Sequence, residues 1–333
     1  MRLSTVMPVG VITALVLSAG PSALAVTSAD AHTGTQVTAT ATTIQKQWPT
    51  TLQMPTGERP EGIAIKGNTA FVTSFTDGTV YRFDLKTGAR TVLTPGTGTG
   101  TGAIGILLDS HGRLFVAGGY GGNMRVIDSH SGKVLATYQL ATKGAATAVN
   151  DFALLNGNLY VTDSLSPVLY KVPLGKNGKL PKQSQVKTIA FDGITYGGGG
   201  DAGWNANGIT PTPDGKALLV VQTNTGTLFR VDKNTGKATK VDVGGADLSW
   251  SDGMRLENRT LYVVRNTPNK ITVLHLNDSG TKGRATTEVS DPRFDTPTTL
   301  ARHGDRLYVT NAHFYSTDPA STDYAITAIP DPA

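Results

Sequence analysis

One phrase recurs six times along this chain, and the repeat constrains the fold more than any single residue. The copies begin Glu61-Gly-Ile-Ala-Ile, Gly105-Ile-Leu-Leu-Asp, Asn150-Asp-Phe-Ala-Leu, Asn207-Gly-Ile-Thr-Pro, Asp252-Gly-Met-Arg-Leu and Thr298-Thr-Leu-Ala-Arg. Each runs through a turn into a second apolar segment: Ala70-Phe-Val-Thr, Leu114-Phe-Val-Ala, Leu159-Tyr-Val-Thr, Leu218-Leu-Val-Val, Leu261-Tyr-Val-Val and Leu307-Tyr-Val-Thr. The intervals between starts are 44, 45, 57, 45 and 46 residues. Such a period fits one four-stranded propeller blade. Short alternating runs of Val, Ile, Tyr and Thr broken by Gly, Asn and Asp read as strands and hairpin turns. A second marker keeps the period: Asp84-Leu-Lys-Thr-Gly88, Asp128-Ser-His-Ser-Gly132 and Asp232-Lys-Asn-Thr-Gly236 form one turn late in three units. The expectation is an all-β, six-bladed β-propeller with four-stranded blades around a central channel. Its sixth unit stops after Tyr324-Ala-Ile-Thr-Ala-Ile, and residues around 41–47 are expected to supply its outer strand.

A chain of 333 residues could hold two domains, but repeats over about 61–329 argue for one, spanning 46–333. There is no cysteine, so disulfides, thiol nucleophiles and thiolate metal sites are excluded. Residues 1–25 read as a secretory signal: Arg2, an apolar stretch from Val6 to Leu17, then Ala23-Leu-Ala25 as a cleavage site. A Thr- and Ala-rich leader follows over 26–45. The apolar run is too short for a membrane span, so an exported protein, free of the membrane after cleavage, is expected. Formal net charge is only +5, and no basic run interleaves with aromatics, which argues against a nucleic-acid partner. Nothing in the sequence fixes an oligomeric state.

In a propeller the innermost strand of each blade lines the channel. The first residue of each phrase then lies near the start of that strand, at one face. Glu61, Asn150, Asn207 and Asp252 converge there from four blades. Gly62, Gly208 and Gly253 follow three of them and let backbone crowd a narrow mouth. Two carboxylates and two amide oxygens make a hard, all-oxygen donor set that suits one divalent metal, Ca²⁺ before softer ions. None of the six His residues occupies a phrase start. Two carboxylates this close without a cation would repel, and one would take up a proton.

Pro60-Glu61-Gly62, Val149-Asn150-Asp151, Asn205-Ala-Asn207-Gly208 with the downstream Pro213-Asp214-Gly215, and Ser251-Asp252-Gly253-Met254 resemble the senescence-marker-protein/gluconolactonase family. That family includes regucalcin-type lactonases and, more distantly, diisopropyl-fluorophosphatase. The resemblance spans about 58–315. It implies a six-bladed propeller and a divalent metal, commonly Ca²⁺, at the positions of Glu61, Asn150, Asn207 and Asp252, with Asn150 also near substrate. Gly105 and Thr298 depart from it, since no His stands where the phosphotriesterase branch has one. The polar substrate-binding pairs of sugar lactonases have no evident counterpart.

The resulting expectation is metal-dependent hydrolysis of a small lactone or ester. Asp252 is the expected base toward water, or alternatively the direct nucleophile. The Gly-rich stretch 193–204 reads as a lid or rim, with Tyr196 and Trp204 as substrate contacts and Tyr120 and Trp250 as further ones. His313, Arg265 and Asp163 follow second strands and could approach the mouth; His313 is a candidate proton shuttle. Two alternatives stay open: a non-catalytic binding module with a structural metal, and a strictosidine-synthase-like propeller without this metal set. Gly100-Thr-Gly102-Ala-Ile-Gly105 fits a dinucleotide fingerprint only in spelling, because it opens no helix after a strand.

Overall fold

The computed structural model describes residues 48–98, 100–198 and 203–333. The expected signal segment and leader lie outside these residues, as do positions 41–47 and 199–202. Among the described residues there are six antiparallel sheets of four strands. They form an all-β six-bladed propeller. The inner strands are Pro60–Lys66, Ile106–Leu108, Val149–Leu155, Ala206–Pro211, Ser251–Glu257 and Pro297–His303. Each packs beside the inner strand of the next blade, and Pro297–His303 returns to Pro60–Lys66 to close the ring.

Period-two alternation builds the walls between blades. In Asn158–Asp163, Leu159 and Val161 face blade two, packing with Phe115, Met124 and Tyr138, while Tyr160 faces blade four, packing with Val220 and Phe229. Six apolar clusters result, each filling the wedge between two neighbouring blades. Every fully buried Leu or Val in them contributes about 1.5–3 kcal/mol. The Asp turns form as expected: Asp84 Oδ1 accepts from the backbone N–H of Lys86 and Thr87, both at 2.9 Å.

Two expectations need correction. The outer strand of blade six is Thr51–Gln53, not the segment around 41–47; it pairs Thr51 with Thr327, Leu52 with Ile326 and Gln53 with Ala325. Leu52 and Met54 carry the apolar alternation this strand needs, and both are buried against Tyr324 and Ile326. The long third interval is also distributed differently. Thirteen residues separate Pro173 from Lys187, against five between Asp84 and Arg90. Most of the excess is therefore an outer hairpin of blade three, with a smaller share at the channel mouth.

Candidate functional site

A β-bulge places the phrase starts of blades one, three, four, five and six. Where the inner and second strands pair, register shifts between Pro60 and Ile63, Val149 and Phe152, Ala206 and Ile209, Ser251 and Met254, and Pro297 and Leu300. Two residues then oppose one, which bends the strand and re-aims its side chains. In blades one, three and six the single opposing residue is a threonine. Its hydroxyl accepts the extra N–H (Gly62 to Thr73, 2.7 Å; Asp151 to Thr162, 3.2 Å; Thr299 to Thr310, 3.2 Å). The same hydroxyl donates to a carbonyl of the next blade: Ile104, Asn207 and Glu61 respectively. Neighbouring bulges are thus stitched together around the axis. Gly208 shows how tight this is, since a Cβ there would lie 2.4 Å from the carbonyl oxygen of Asp252.

Glu61, Asn150, Asn207 and Asp252 share one cavity floor, and each is at most 6% exposed. The amides are oriented by hydroxyls behind them. Ser164 Oγ donates to the Ala206 carbonyl and Thr223 Oγ1 to the Ser251 carbonyl. Having committed their protons, these hydroxyls must accept from Asn150 Nδ2 (2.8 Å) and Asn207 Nδ2 (3.1 Å). The amide oxygens are left as the free ends. Asn266 Nδ2 holds Asp252 by Oδ2 at 2.7 Å. Glu61 Oε2 and Asn207 Oδ1 are buried with no hydrogen-bond partner, an expensive condition unless something else satisfies them.

A third carboxylate lies one step deeper. Asp151 faces the narrow channel beneath the floor and also lines the opposite mouth. Its Oδ1 accepts the Phe152 N–H at 2.8 Å. Burial pushes its carboxyl up to about 7, against the N–H groups of Phe152 and Ile209. Burial likewise pushes Asp252 up to about 7; the Asn266 and Asn207 amides oppose the shift and the charge of Asp151 adds to it. Glu61 is raised well above the usual carboxylate range by burial, then by Asp252 and Asp151. Three carboxyl groups near one channel with two orphaned oxygens form an environment short of positive charge. Among the described residues no group of three or more His, Cys, Asp or Glu is arranged to hold a metal. A cation here would have to use carboxylate and amide oxygens together, which Ca²⁺ accepts.

Above the floor the cavity widens to about 310 Å³. Tyr120, Trp204 and Trp250 line it, as expected, and so do Phe75, Phe314 and Tyr315. Tyr196 does not: it is turned inward, its hydroxyl donating to the Asp163 carbonyl at 2.6 Å. Asp163 is itself enclosed, accepting from Thr147, Ala148 and Tyr170. Arg265 is buried in ion pairs with Asp247 and Glu288. His313 sits 3.3 Å from Asp295, off the cavity wall. None of these four lines the cavity. Sequence reasoning missed the roles of Asn266, Ser164 and Thr223. It also passed over Asp151, although Asp follows the phrase start in blade three where blades one, four and five have Gly.

No protein-family model matches the chain, and no curated protein matches it. Solved structures do. The major allergen Mala s 1 of Malassezia sympodialis matches at 17% identity and a TM-score of 0.63, over 84% of this chain and 96% of its own. Regucalcin of Agrobacterium tumefaciens, described as calcium-binding, matches at 18% and 0.60, over 83% and 92%. A gluconolactonase of Xanthomonas campestris matches at 16% and 0.54, over 82% and 87%. Likeness at this identity establishes the fold, and two of the three are of the regucalcin and gluconolactonase types that the sequence motifs resemble.

Proposed function

We propose that the protein is an exported, metal-dependent hydrolase of lactones or esters, with one divalent cation, Ca²⁺, held by Glu61, Asn150, Asn207 and Asp252. The observation that carries this reading is the pair of buried, partnerless oxygens, Glu61 Oε2 and Asn207 Oδ1, in a floor with an excess of carboxylates. Bound there, a divalent cation supplies Lewis acidity toward a carbonyl oxygen. The chain's own groups do the rest. Asn266 fixes the Asp252 carboxyl, which takes a proton from the attacking water. That water's oxygen adds to the acyl carbon, the ester C–O bond then breaks, and the departing alkoxide takes the proton back from Asp252 and leaves as the alcohol. Asn150, locked by Ser164, presents its amide oxygen beside the substrate. The aromatic walls keep bulk water from the reacting centre. The similarity to regucalcin and gluconolactonase supports this choice of chemistry, and residues 1–25 support export.

Metal analysis of the purified protein should find one calcium per chain. Hydrolysis across lactones and aryl esters should stop on chelation and return with Ca²⁺. Turnover unchanged after full metal removal would end the proposal. In a single turnover in oxygen-18 water, label should enter the product directly; label first entering Asp252 would show the carboxylate to be the nucleophile.

A further inference from the structure

We infer that the ligand of this cavity is a neutral lactone or ester with an apolar body, of alkyl or aromatic type, and not a polyhydroxylated sugar lactone. The inference rests on the hydrolase reading for its reacting group but takes the body from the walls, which stand independently of any metal.

The walls are aromatic. Phe314, Phe75, Tyr120 and Trp204 form a continuous chain of ring contacts, with centroids 6.1, 6.3 and 6.2 Å apart. They come from four separate loops, so no single local motif produced the collar. Tyr120 is 56% exposed and Tyr315 57% exposed, large rings left in water by a fold that buries seven of its other tyrosines. Trp250, also on the wall, is held at φ 60°, a left-handed conformation that a bulky side chain avoids. Strain of this kind collects at functional sites, where the surrounding structure fixes it.

Four polar side chains of the walls already hold hydrogen bonds within the protein. Thr223 accepts from Asn207 and donates to Ser251. Asn266 directs its amide N–H groups to Asp252 and to the Pro297 carbonyl. The Thr267 hydroxyl meets the Tyr315 hydroxyl at 3.3 Å. A sugar lactone brings several hydroxyls, and each one buried without a partner lowers affinity about tenfold or more. Among the described lining residues none is basic, so nothing on the walls would hold a carboxylate or phosphate, and the acidic floor would repel one. A volume of about 310 Å³ suits a body of one or two rings or a medium alkyl chain.

The test uses binding as well as turnover. Two of the three tryptophans, Trp204 and Trp250, line the cavity, so intrinsic fluorescence reports occupancy. Decanolactone, phenyl acetate and gluconolactone would be titrated into the full chain with Ca²⁺ and with chelator, and kcat/KM measured for each. Saturable quenching by decanolactone in both conditions, with kcat/KM at least about a hundredfold above gluconolactone, is expected. Phe75→Ala should weaken decanolactone binding about tenfold, as should the exposed-site variants Tyr120→Ala and Tyr315→Ala together. The Ca²⁺ affinity and melting temperature of the double tyrosine variant should stay near those of the parent, since both rings are more than half exposed. Gluconolactone bound or turned over as well as decanolactone would overturn the substrate class and leave the metal reading intact. Saturable decanolactone binding without hydrolysis would uphold the apolar ligand and overturn the hydrolase. Benzyltrimethylammonium binding more tightly than either lactone in chelator, and displaced by Ca²⁺, would mark an aromatic cage for an organic cation and overturn the neutral ligand.

Discussion

The same repeat position does opposite work in different blades. In blades one, three, four and five it carries Glu61, Asn150, Asn207 and Asp252, each directed to one cavity floor. In blade six it carries Thr298, which turns back and bonds the Glu61 carbonyl at 2.7 Å. In blade two it carries Gly105, whose missing side chain leaves room for the Asn150 carbonyl and the Asp151 carboxyl. Pseudo-symmetry fixes where a side chain starts. Whether it becomes a donor depends on its chemistry and on what its neighbours leave free. Blades one and five bring carboxylates to the floor and blades three and four bring amides, and the other two blades make that gathering mechanically possible.

The largest expected effect separates the two groups by chemistry. Asp252→Asn should lower kcat/KM by about 10³-fold, within the range for loss of a general base, and Glu61→Gln should act similarly through Ca²⁺ affinity. Both variants should keep the parent's circular dichroism. In chelator at pH 8 both should melt above the parent, because each removes a buried carboxylate that has no cation. A donor-blade variant with full activity would break the comparison.

Next in size is Gly105→Ala. A Cβ there would lie 2.5 Å from the Asn150 carbonyl oxygen and 2.9 Å from Asp151 Oδ1. Overpacking of this kind costs about 1–3 kcal/mol, read as a lower urea midpoint with the slope unchanged. Ca²⁺ affinity should fall with it, because the carbonyl and carboxyl that must move adjoin the floor. An unchanged midpoint would mean that blade two gives way easily and that its glycine is incidental.

A pH series sharpens the electrostatic side. Burial pushes Asp151 and Asp252 up to about 7 in the folded, metal-free protein, against about 4 in an unfolded chain. Between those values the folded state holds protons that the unfolded chain has released. Their contribution to stability is therefore full below about pH 4 and is lost as pH rises through about 7. The chelated protein should melt lower at pH 8 than at pH 5, and an Asp151→Asn/Asp252→Asn double variant should reduce that slope, with Glu61, itself raised by burial, keeping the remainder. Ca²⁺ affinity should rise over the same window as protons leave. A chelated parent with no slope would mean that these carboxyl groups are better solvated than their burial implies.

Much of this was legible before any coordinates. The period and the alternation within it fixed six blades, because a strand that packs on both faces must alternate and a ring needs equal units. The meeting of Glu61, Asn150, Asn207 and Asp252 at one floor was legible for the same reason: a polar residue at a repeated position is gathered by symmetry. What escaped is what symmetry does not govern. The closing strand lay ten residues further on, where Leu52 and Met54 supply the needed alternation. Tyr196 was misjudged because loop aromatics carry no period, and its hydroxyl found the Asp163 carbonyl inside the protein. Phe75, Phe314 and Tyr315 were missed for the same reason. The bulge left its mark on the page as a Thr ending the second segment in blades one, three and six, but only the pairing register shows what that threonine bonds.

The smallest effect tests whether blade six is only a support. Thr298 is fully buried, and its hydroxyl lies 2.7 Å from that of Thr310, which also reaches the Glu61 carbonyl at 2.8 Å. Thr298→Val keeps the shape and removes one donor. The carbonyl retains Thr310, so the loss is about 1 kcal/mol, the net value of one hydrogen bond, and not the larger penalty of an orphaned group. For a domain of this size that lowers the melting temperature by about 2–4 °C. Ca²⁺ affinity should stay within about twofold, since no floor oxygen changes its charge. A calorimetric titration showing Ca²⁺ affinity falling as far as in Asp252→Asn would make Thr298 a donor, and the division between the two groups of blades would fail. A melting shift without an affinity shift would place Thr298 in the frame that holds the Glu61 backbone, with the cation left to the other four blades.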